Sequence, residues 1–339
     1  MKYTPRKYIR NRNKIGYSGI ALVLLLGFAL YIFASRENNI FNPFSGYDTE
    51  VTAHFIDVGQ GDSTLLIAKD RNILVDGGER NRGGDVAEYL QKHGVKSLDL
   101  VVVTHYHTDH YGGLITILES FPVTEILLPN VKDSIMPDNK TFGNFMDVIE
   151  NKKENENLIV TLAEKGLTRD FGDGKLTVVD QFADSNDINN TSAIVKFTYK
   201  TASFLMAGDI EDKTEKRLLD EGTDIFAHVV KLNHHGSRTS NSEEFLKRTQ
   251  AKAYVISCGS GNSYKHPHKE VLEILDSMQV QYYRTDINGT VVFATDGGED
   301  DSLAVNLERE ARSGNNTAKS EREKDAVSVL TGDADKKAA

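Results

Sequence analysis

The hydrophobic pattern divides the chain into five stretches. Ile15 to Ala34 (IGYSGIALVLLLGFALYIFA) holds no charge. At about 1.5 Å of rise per residue it is long enough to cross a bilayer core of about 30 Å. A basic segment, residues 1–14, precedes it, and residues 35–50 read as a linker. From Val51 to Glu308 short apolar runs recur. VTAHFIDV, STLLIA and NILVDGG have β-type composition and are punctuated by Gly and Asp. DVAEYLQKHG has helical spacing and stops at Gly94, LDLVVVTH reads as a buried strand, and GLITILES opens another helix. Further on, SAIVKFTYK, SFLMAGD, AHVVKLN and AYVIS predict strands, whereas DKTEKRLLDEG, SEEFLKRT and HKEVLEILDSM predict helices. Two β-rich halves with interspersed helices predict a layered α/β domain over residues 51–308. Residues 309–339 carry few large apolar side chains and are expected to form a disordered tail, with EREKDAVSVL at most a transient helix.

Charge sharpens this division. Lys2, Arg6, Lys7, Arg10, Arg12, Lys14 and Arg36 lie in the first 36 residues with no acid, although the whole chain has 40 Lys and Arg against 50 Asp and Glu. The positive-inside rule then makes residues 1–14 cytoplasmic, 15–34 a transmembrane anchor and the domain extracellular. The length of the apolar run and the lack of an Ala-x-Ala site speak against a cleaved signal peptide. The body beyond the anchor is strongly acidic, which disfavours general polyanion binding. Cys258 is the sole cysteine, so a disulfide within the chain and thiolate zinc sites are excluded. Any metal must sit on imidazole and carboxylate.

The candidate chemistry follows the apolar strand LDLVVVTH. Alternate residues at a strand end point the same way, so His105 and His107 can grip one ion. Asp109 and His110 follow in the turn and can grip a second. Such ligands suit Zn²⁺, and a carboxylate-rich set also accepts Mn²⁺ or Fe²⁺. A surface loop does not ordinarily crowd four potential ligands into six residues behind a buried strand. Other strand ends offer further candidates: Asp209 after SFLMA, His234 and His235 after HVVKLN, and His266 and His268 beside Pro267. His54, His93 and His228 read as structural.

With these motifs in hand the sequence resembles the metallo-β-lactamase superfamily. Within it, the match is nearer to the metallohydrolase domain of ComEC-type DNA-uptake channels and to the phosphorylcholine esterases of teichoic acid. FIDVGQGDST (55–64), VDGG (75–78), THYHTDHYGG (104–113), NNTS (189–192), AGDIE (207–211), KLNHHGS (231–237) and YKHPH (264–268) carry the resemblance, which covers about residues 51–296. It implies a four-layer αββα sandwich, preceded here by the transmembrane helix, with two divalent metal ions, Zn²⁺ or Mn²⁺, at one edge. It implies that His105, His107, Asp109, His110, Asp209 and His235 ligate them, with Asp209 bridging. Asp76 would orient the ligand loop, Asn190 and Ser192 would line the pocket, and Gln60 and Asp62 would sit at the rim. His234, His266 and Asp109 would take the catalytic roles.

Two departures qualify the resemblance. Asn189-Asn190-Thr191-Ser192 stands where the superfamily usually has a third-motif histidine, which the ComEC-type branch also lacks. This argues against a true β-lactamase and leaves the first metal short of one imidazole. The channel proteins also have many membrane segments, whereas one is predicted here, so a pore is not expected. The expected activity is phosphodiester hydrolysis by metal-activated hydroxide, with His234 or His266 as proton donor and Ser237, Arg238 and Ser240 as candidate phosphate contacts. DNA or another nucleic acid is the first substrate the resemblance implies. A choline phosphodiester of the cell wall is the alternative, and a non-catalytic assembly protein is a third reading.

Overall fold

The computed structural model describes residues 49–298 and 303–309, and the backbone of 327–330. The predicted basic segment, the anchor over 15–34 and most of the linker lie outside the described residues. Among the described residues no helix is long and apolar enough to cross a membrane.

Two sheets form the domain. The first contains β1 (Val51–Phe55), β2 (Thr64–Ala68), β3 (Arg71–Val75), β4 (Leu98–Val102), β5 (Val123–Leu128) and β6 (Ile159–Leu162). The second contains β7 (Thr168–Phe171), β8 (Gly174–Asp180), β9 (Ile194–Tyr199), β10 (Ala202–Met206), β11 (Val229–Lys231), β12 (Ala253–Ile256) and β13 (Gln281–Arg284). The chain then returns to the first sheet with β14 (Val291–Thr295), β15 (Leu303–Leu307) and β16 (Val327–Leu330). The strand orders are β16-β15-β14-β1-β2-β3-β4-β5-β6 and β13-β12-β11-β10-β9-β8-β7. Hairpin-linked strands pair antiparallel, while β3-β4-β5-β6 and β10-β11-β12-β13 run parallel.

The period of two in the strands decides the layering. Val51, Ala53 and Phe55 of β1, Val102 of β4, Phe197 of β9 and Phe204 of β10 meet between the sheets in one core. Residues of opposite parity face helices. Leu65, Leu74 and Val101 pack on α1 (Gly83–Lys92), α3 (Leu114–Ser120) and α4 (Lys140–Glu156). Leu205, Val230 and Tyr254 pack on α5 (Asp212–Asp220), α6 (Glu243–Thr249) and α7 (Lys269–Met278). Each fully buried Val, Leu, Ile or Phe contributes about 1.5–3 kcal/mol. The result is a helix–sheet–sheet–helix sandwich. The short α2 (Thr108–Tyr111) and α8 (Thr285–Asn288) belong to connections at the sheet ends.

The three histidines read as structural have structural partners. His54, on the helix face of β1, contacts Tyr89 Oη at 2.8 Å. His93 caps the C-terminus of α1, with Nδ1 2.8 Å from the Tyr89 carbonyl. His228 Nδ1 accepts from Ser203 N at 3.1 Å. One expectation changes: Val327–Leu330 pairs antiparallel with β15, so part of the stretch predicted as a disordered tail, including the end of the suggested helix, is an edge strand. Its Val-Ser-Val-Leu alternation has the period of a strand, not of a helix.

Candidate metal centre

Five strand ends converge on one site, each where its apolar run stops. Asp76 follows β3 in a left-handed conformation (φ 59°), and Thr104 to His110 follow β4. Asp209 follows β10, His234 and His235 follow β11, and the loop reaching His266 follows β12. Parallel pairing puts the carboxyl ends of β3 and β4 together, and likewise those of β10, β11 and β12, which is where α/β sheets open a crevice. Ala193 N donates to Thr104 O at 2.8 Å and ties the two sheets at this point. Two turns interlock beside it. Gly77 N donates to His110 O at 2.7 Å, and Gly113 N donates to Gly78 O at 2.8 Å. A Cβ on Gly113 would lie 1.9 Å from Gly77 O, so only glycine fits there.

The centre of the site is one carboxylate oxygen. Asp209 Oδ2 lies 3.3 Å from His110 Nε2 and 3.3 Å from His235 Nε2. It lies 3.9 Å from both His105 Nε2 and His234 Nε2. His105 Nε2 is also 3.1 Å from His107 Nδ1, and His235 Nε2 is 3.2 Å from Asp109 Oδ2. Two donor nests therefore share Asp209: His105 with His107, and Asp109 with His110 and His235. His110 Nε2, His235 Nε2 and Asp209 Oδ1 are buried with no hydrogen-bond partner among the described residues. Convergent buried donor atoms without partners are costly unless something binds them, and a cation matches their chemistry.

The electrostatics agree. Burial, then His110, pushes the pKa values of His105 and His107 down, leaving neutral imidazoles suited to ligation. Burial is the largest influence on His110 and His235 and opposes their charge, but Asp209 and the neighbouring carboxylates together outweigh it in both. Asp76, Asp109 and Asp62 add to this for His110, and Asp62 adds for His235; both are held well above the usual imidazole range. Burial opposes ionisation of Asp109 and Asp209, yet His110 and His235 keep both below the usual carboxylate range. Carboxylates strong enough to hold imidazolium in a buried site will also attract a divalent cation.

Around this centre the expected residues fall into place unevenly. Asp76 does face the ligand turn. Its Oδ2 is 2.8 Å from His110 Nδ1 and accepts from Thr104 Oγ1 at 2.7 Å, while its Oδ1 accepts from Thr104 N at 2.8 Å. Asp62, expected at the rim, is instead 3 % exposed. It contacts His235 Nδ1 at 3.3 Å and His110 Nδ1 at 3.7 Å, behind the rings, and pairs with buried Lys231. Asn190 and Ser192 do not line the pocket. Asn190 Oδ1 accepts from Thr214 Oγ1 at 2.6 Å and from Glu211 N at 3.1 Å, and Ser192 Oγ accepts from Asp209 N at 3.1 Å. Both brace the Asp209 turn from behind. Ser237 and Ser240 are also turned inward, bonding Thr239 Oγ1 and Ile210 O, and exposed Arg238 lies 3.7 Å from Glu270. These are loop contacts, not free phosphate donors.

The site opens into a cavity of about 220 Å³ lined by Gln60, Glu79, Asp109, His234, Tyr264 and His266 among others. His234 Nδ1 is 3.3 Å from Glu211 Oε1, which turns Nε2 toward Asp209. Burial, then His235 and His234, pushes His266 down to about 4, so its ring is neutral near pH 7. Glu79, half-buried, has its pKa raised by burial and by Asp109.

Residues 56–260 match the metallo-beta-lactamase superfamily. The chain belongs to that superfamily. It is 29 % identical over 264 residues to ComE operon protein 3 of Bacillus subtilis, covering 72 % of this chain and 33 % of that protein. It is 29 % identical over 280 residues to Recombination protein 2 of Haemophilus influenzae, covering 79 % and 31 %. It is 26 % identical over 286 residues to Competence protein ComA of Neisseria gonorrhoeae, covering 84 % and 36 %. The chain thus spans about a third of the length of these relatives. The fold and the buried Asp/His cluster fit a dinuclear divalent-metal site.

Sequence reasoning did not single out four residues that shape this site. Lys231 is 2 % exposed and donates to Gly208 O at 3.1 Å as well as pairing with Asp62. A lone charge inside an apolar strand was its signal. In the sequence Thr104 belongs to the strand pattern LDLVVVTH, and Tyr264 to the YKHPH motif. Glu215 of α5 is buried. It accepts from Asn233 Nδ2 (2.8 Å), Asn241 N (2.5 Å) and Ser242 N (2.9 Å), and so ties down the turn that carries His234 and His235. Both histidines are left-handed (φ 48° and 54°), a conformation a non-glycine residue keeps only when its surroundings enforce it.

Proposed function

We propose that the domain is a metal-dependent phosphodiesterase acting on nucleic acid, DNA included, and that residues 15–34 anchor it with the domain outside the membrane. The observation that carries the proposal is the convergence of His105, His110, His234 and His235 on Asp209 Oδ2 at the cavity floor. His105, His107 and Asp209 would hold one ion, and Asp109, His110, His235 and Asp209 the other, with Zn²⁺ or Mn²⁺ suited to these donors. Bound divalent ions would supply Lewis-acid chemistry, activating water and neutralising charge on the phosphoryl oxygens. The protein's own groups do the rest. Asp76 fixes the His110 ring through Nδ1, leaving Nε2 for the ligand position. His234, turned by Glu211 toward the cavity, is placed to hydrogen-bond a phosphoryl oxygen or to protonate the leaving oxygen. His266, neutral near pH 7, serves as a hydrogen-bonding and packing partner in place of the proton donor. Relatives named for competence and recombination suit a DNA substrate.

Glu79 supports a second reading. A carboxylate on the cavity wall suits a cationic choline phosphodiester. Full-length protein loaded with Mn²⁺ or Zn²⁺ is assayed on linear DNA, bis-p-nitrophenyl phosphate and p-nitrophenyl phosphorylcholine. Turnover of the first two is expected. Turnover of the choline ester alone selects the second reading, and no turnover with either metal sinks the phosphodiesterase.

A further inference from the structure

Tyr264 stands at the cavity and is 63 % exposed. One face of its ring is stacked on His266, 5.6 Å between centroids with 19° between the planes. His266 is itself held. His234 and His268 meet it edge-on at 5.5 and 4.9 Å, and His235 lies tilted at 5.9 Å. The loop that presents the pair is tightly specified. Asn262 Oδ1 accepts from His266 N at 2.9 Å, and Asn262 Nδ2 donates to Gly259 O at 2.8 Å and to His266 O at 2.6 Å. Lys265, between the two residues in sequence, is left-handed at φ 63°. A backbone constrained this way holds a large ring in water with one face covered and the other open beside the reacting centre.

The rest of the cavity wall shows what that open face is for. Among the described residues its lining contains Glu79, Asp109 and Asp209 and no Lys or Arg, so beyond the ions the cavity itself offers a phosphate backbone no cationic side chain. Inside the cavity, affinity for a nucleic acid needs a contact other than side-chain cations. Stacking is the sequence-tolerant alternative, because every base has a π-face. A quaternary ammonium prefers several rings around it, whereas Tyr264 offers a single flat side. We infer that Tyr264, backed by His266, is the platform on which the base adjoining the cleaved phosphodiester stacks. The enzyme then takes unpaired nucleic acid with little preference among bases. This deepens the phosphodiesterase reading and rests on it.

The chain contains no tryptophan, so Tyr264→Trp in the full-length protein introduces a single indole reporter. With Zn²⁺ present, a phosphorothioate oligothymidylate should quench its emission and phosphorylcholine should not; equal quenching by both, or none by the oligonucleotide, overturns the platform. Kinetics supply the second arm. Thymidine 5′-p-nitrophenyl phosphate and methyl p-nitrophenyl phosphate share a leaving group and differ in the nucleoside. Tyr264→Ala should lower kcat/KM for the nucleoside ester by roughly tenfold relative to the methyl ester, and Tyr264→Phe should retain it. Equal losses on both esters, or no loss on either, would mean that Tyr264 only shapes the loop. If the wild-type protein cleaves neither ester, the phosphodiesterase reading falls, while the quenching experiment still decides whether bases bind there.

Discussion

Lys231 forms an ion pair with Asp62 beneath the histidine cluster, and both side chains are almost wholly removed from solvent. Asp62 in turn faces Nδ1 of His110 and of His235, so one lysine offsets the charge that steadies two candidate ligands.

Breaking that pair leaves a buried carboxylate with its main counter-charge gone. Lys231→Met should destabilise the protein by about 3–5 kcal/mol in chemical denaturation. Adding Asp62→Asn should recover part of the loss, because the two residues share one interaction. Strictly additive losses would show that the pair is not coupled.

Asp76 acts on metal affinity through His110. Asp76→Asn keeps an acceptor for Thr104 N but removes the anion that holds a proton on His110 Nδ1. Affinity for Zn²⁺, measured by competition with a chromophoric chelator, should fall about 10–100-fold with the fold intact. An unchanged affinity would remove Asp76 from the orienting role.

Glu215 restrains the left-handed turn at His234 and His235 from a neighbouring helix. Glu215→Ala strands the backbone N–H groups of Asn241 and Ser242, at about 1–3 kcal/mol for each buried donor left unpaired. Hydrogen exchange should quicken first over residues 233–242, and hydrolysis should drop with it. Exchange that quickens uniformly across the domain would point to general destabilisation.

Glu50 gives a pH signature away from the site. Lys200, then Tyr199, holds its pKa down from 4.5 to about 2. A depressed folded-state value means that its stabilisation is present above about pH 4.5 and is lost as pH falls toward 2. The melting temperature of wild type should therefore exceed that of Glu50→Gln at pH 6, with the gap closing between pH 4.5 and 2. A gap that stays constant over that window would show that the pair carries no linkage.

Local pattern carried much of this fold. Short apolar runs of β-type composition announced β1, β2, β9 and β10, and the residue types and spacing of His105–His110 pointed to metal-binding chemistry. What could not be read was direction. Asp62 and Gln60 share one turn, yet Asp62 faces inward to Lys231 and Gln60 faces the cavity. Asn190 and Ser192 look like pocket residues until β10 is in place, and then their oxygens are committed to the backbone that follows it. Inward or outward placement of a polar side chain depends on which distant strand arrives beside it, and no local period encodes that. Val327–Leu330 failed for a different reason: four residues of strand pattern inside a polar stretch are too few to stand out.

The interlocked turns at Gly77 and Gly113 separate two things an enzyme must inherit. The seat for the ions is set largely by backbone crossing backbone, at a clearance that admits no side chain. Tyr264, by contrast, sits on a loop outside that crossing, and Gln60 and Glu79 meet the cavity at its margins. Substitution at such margins can change which substrate the cavity admits while the ion seat stays as it is.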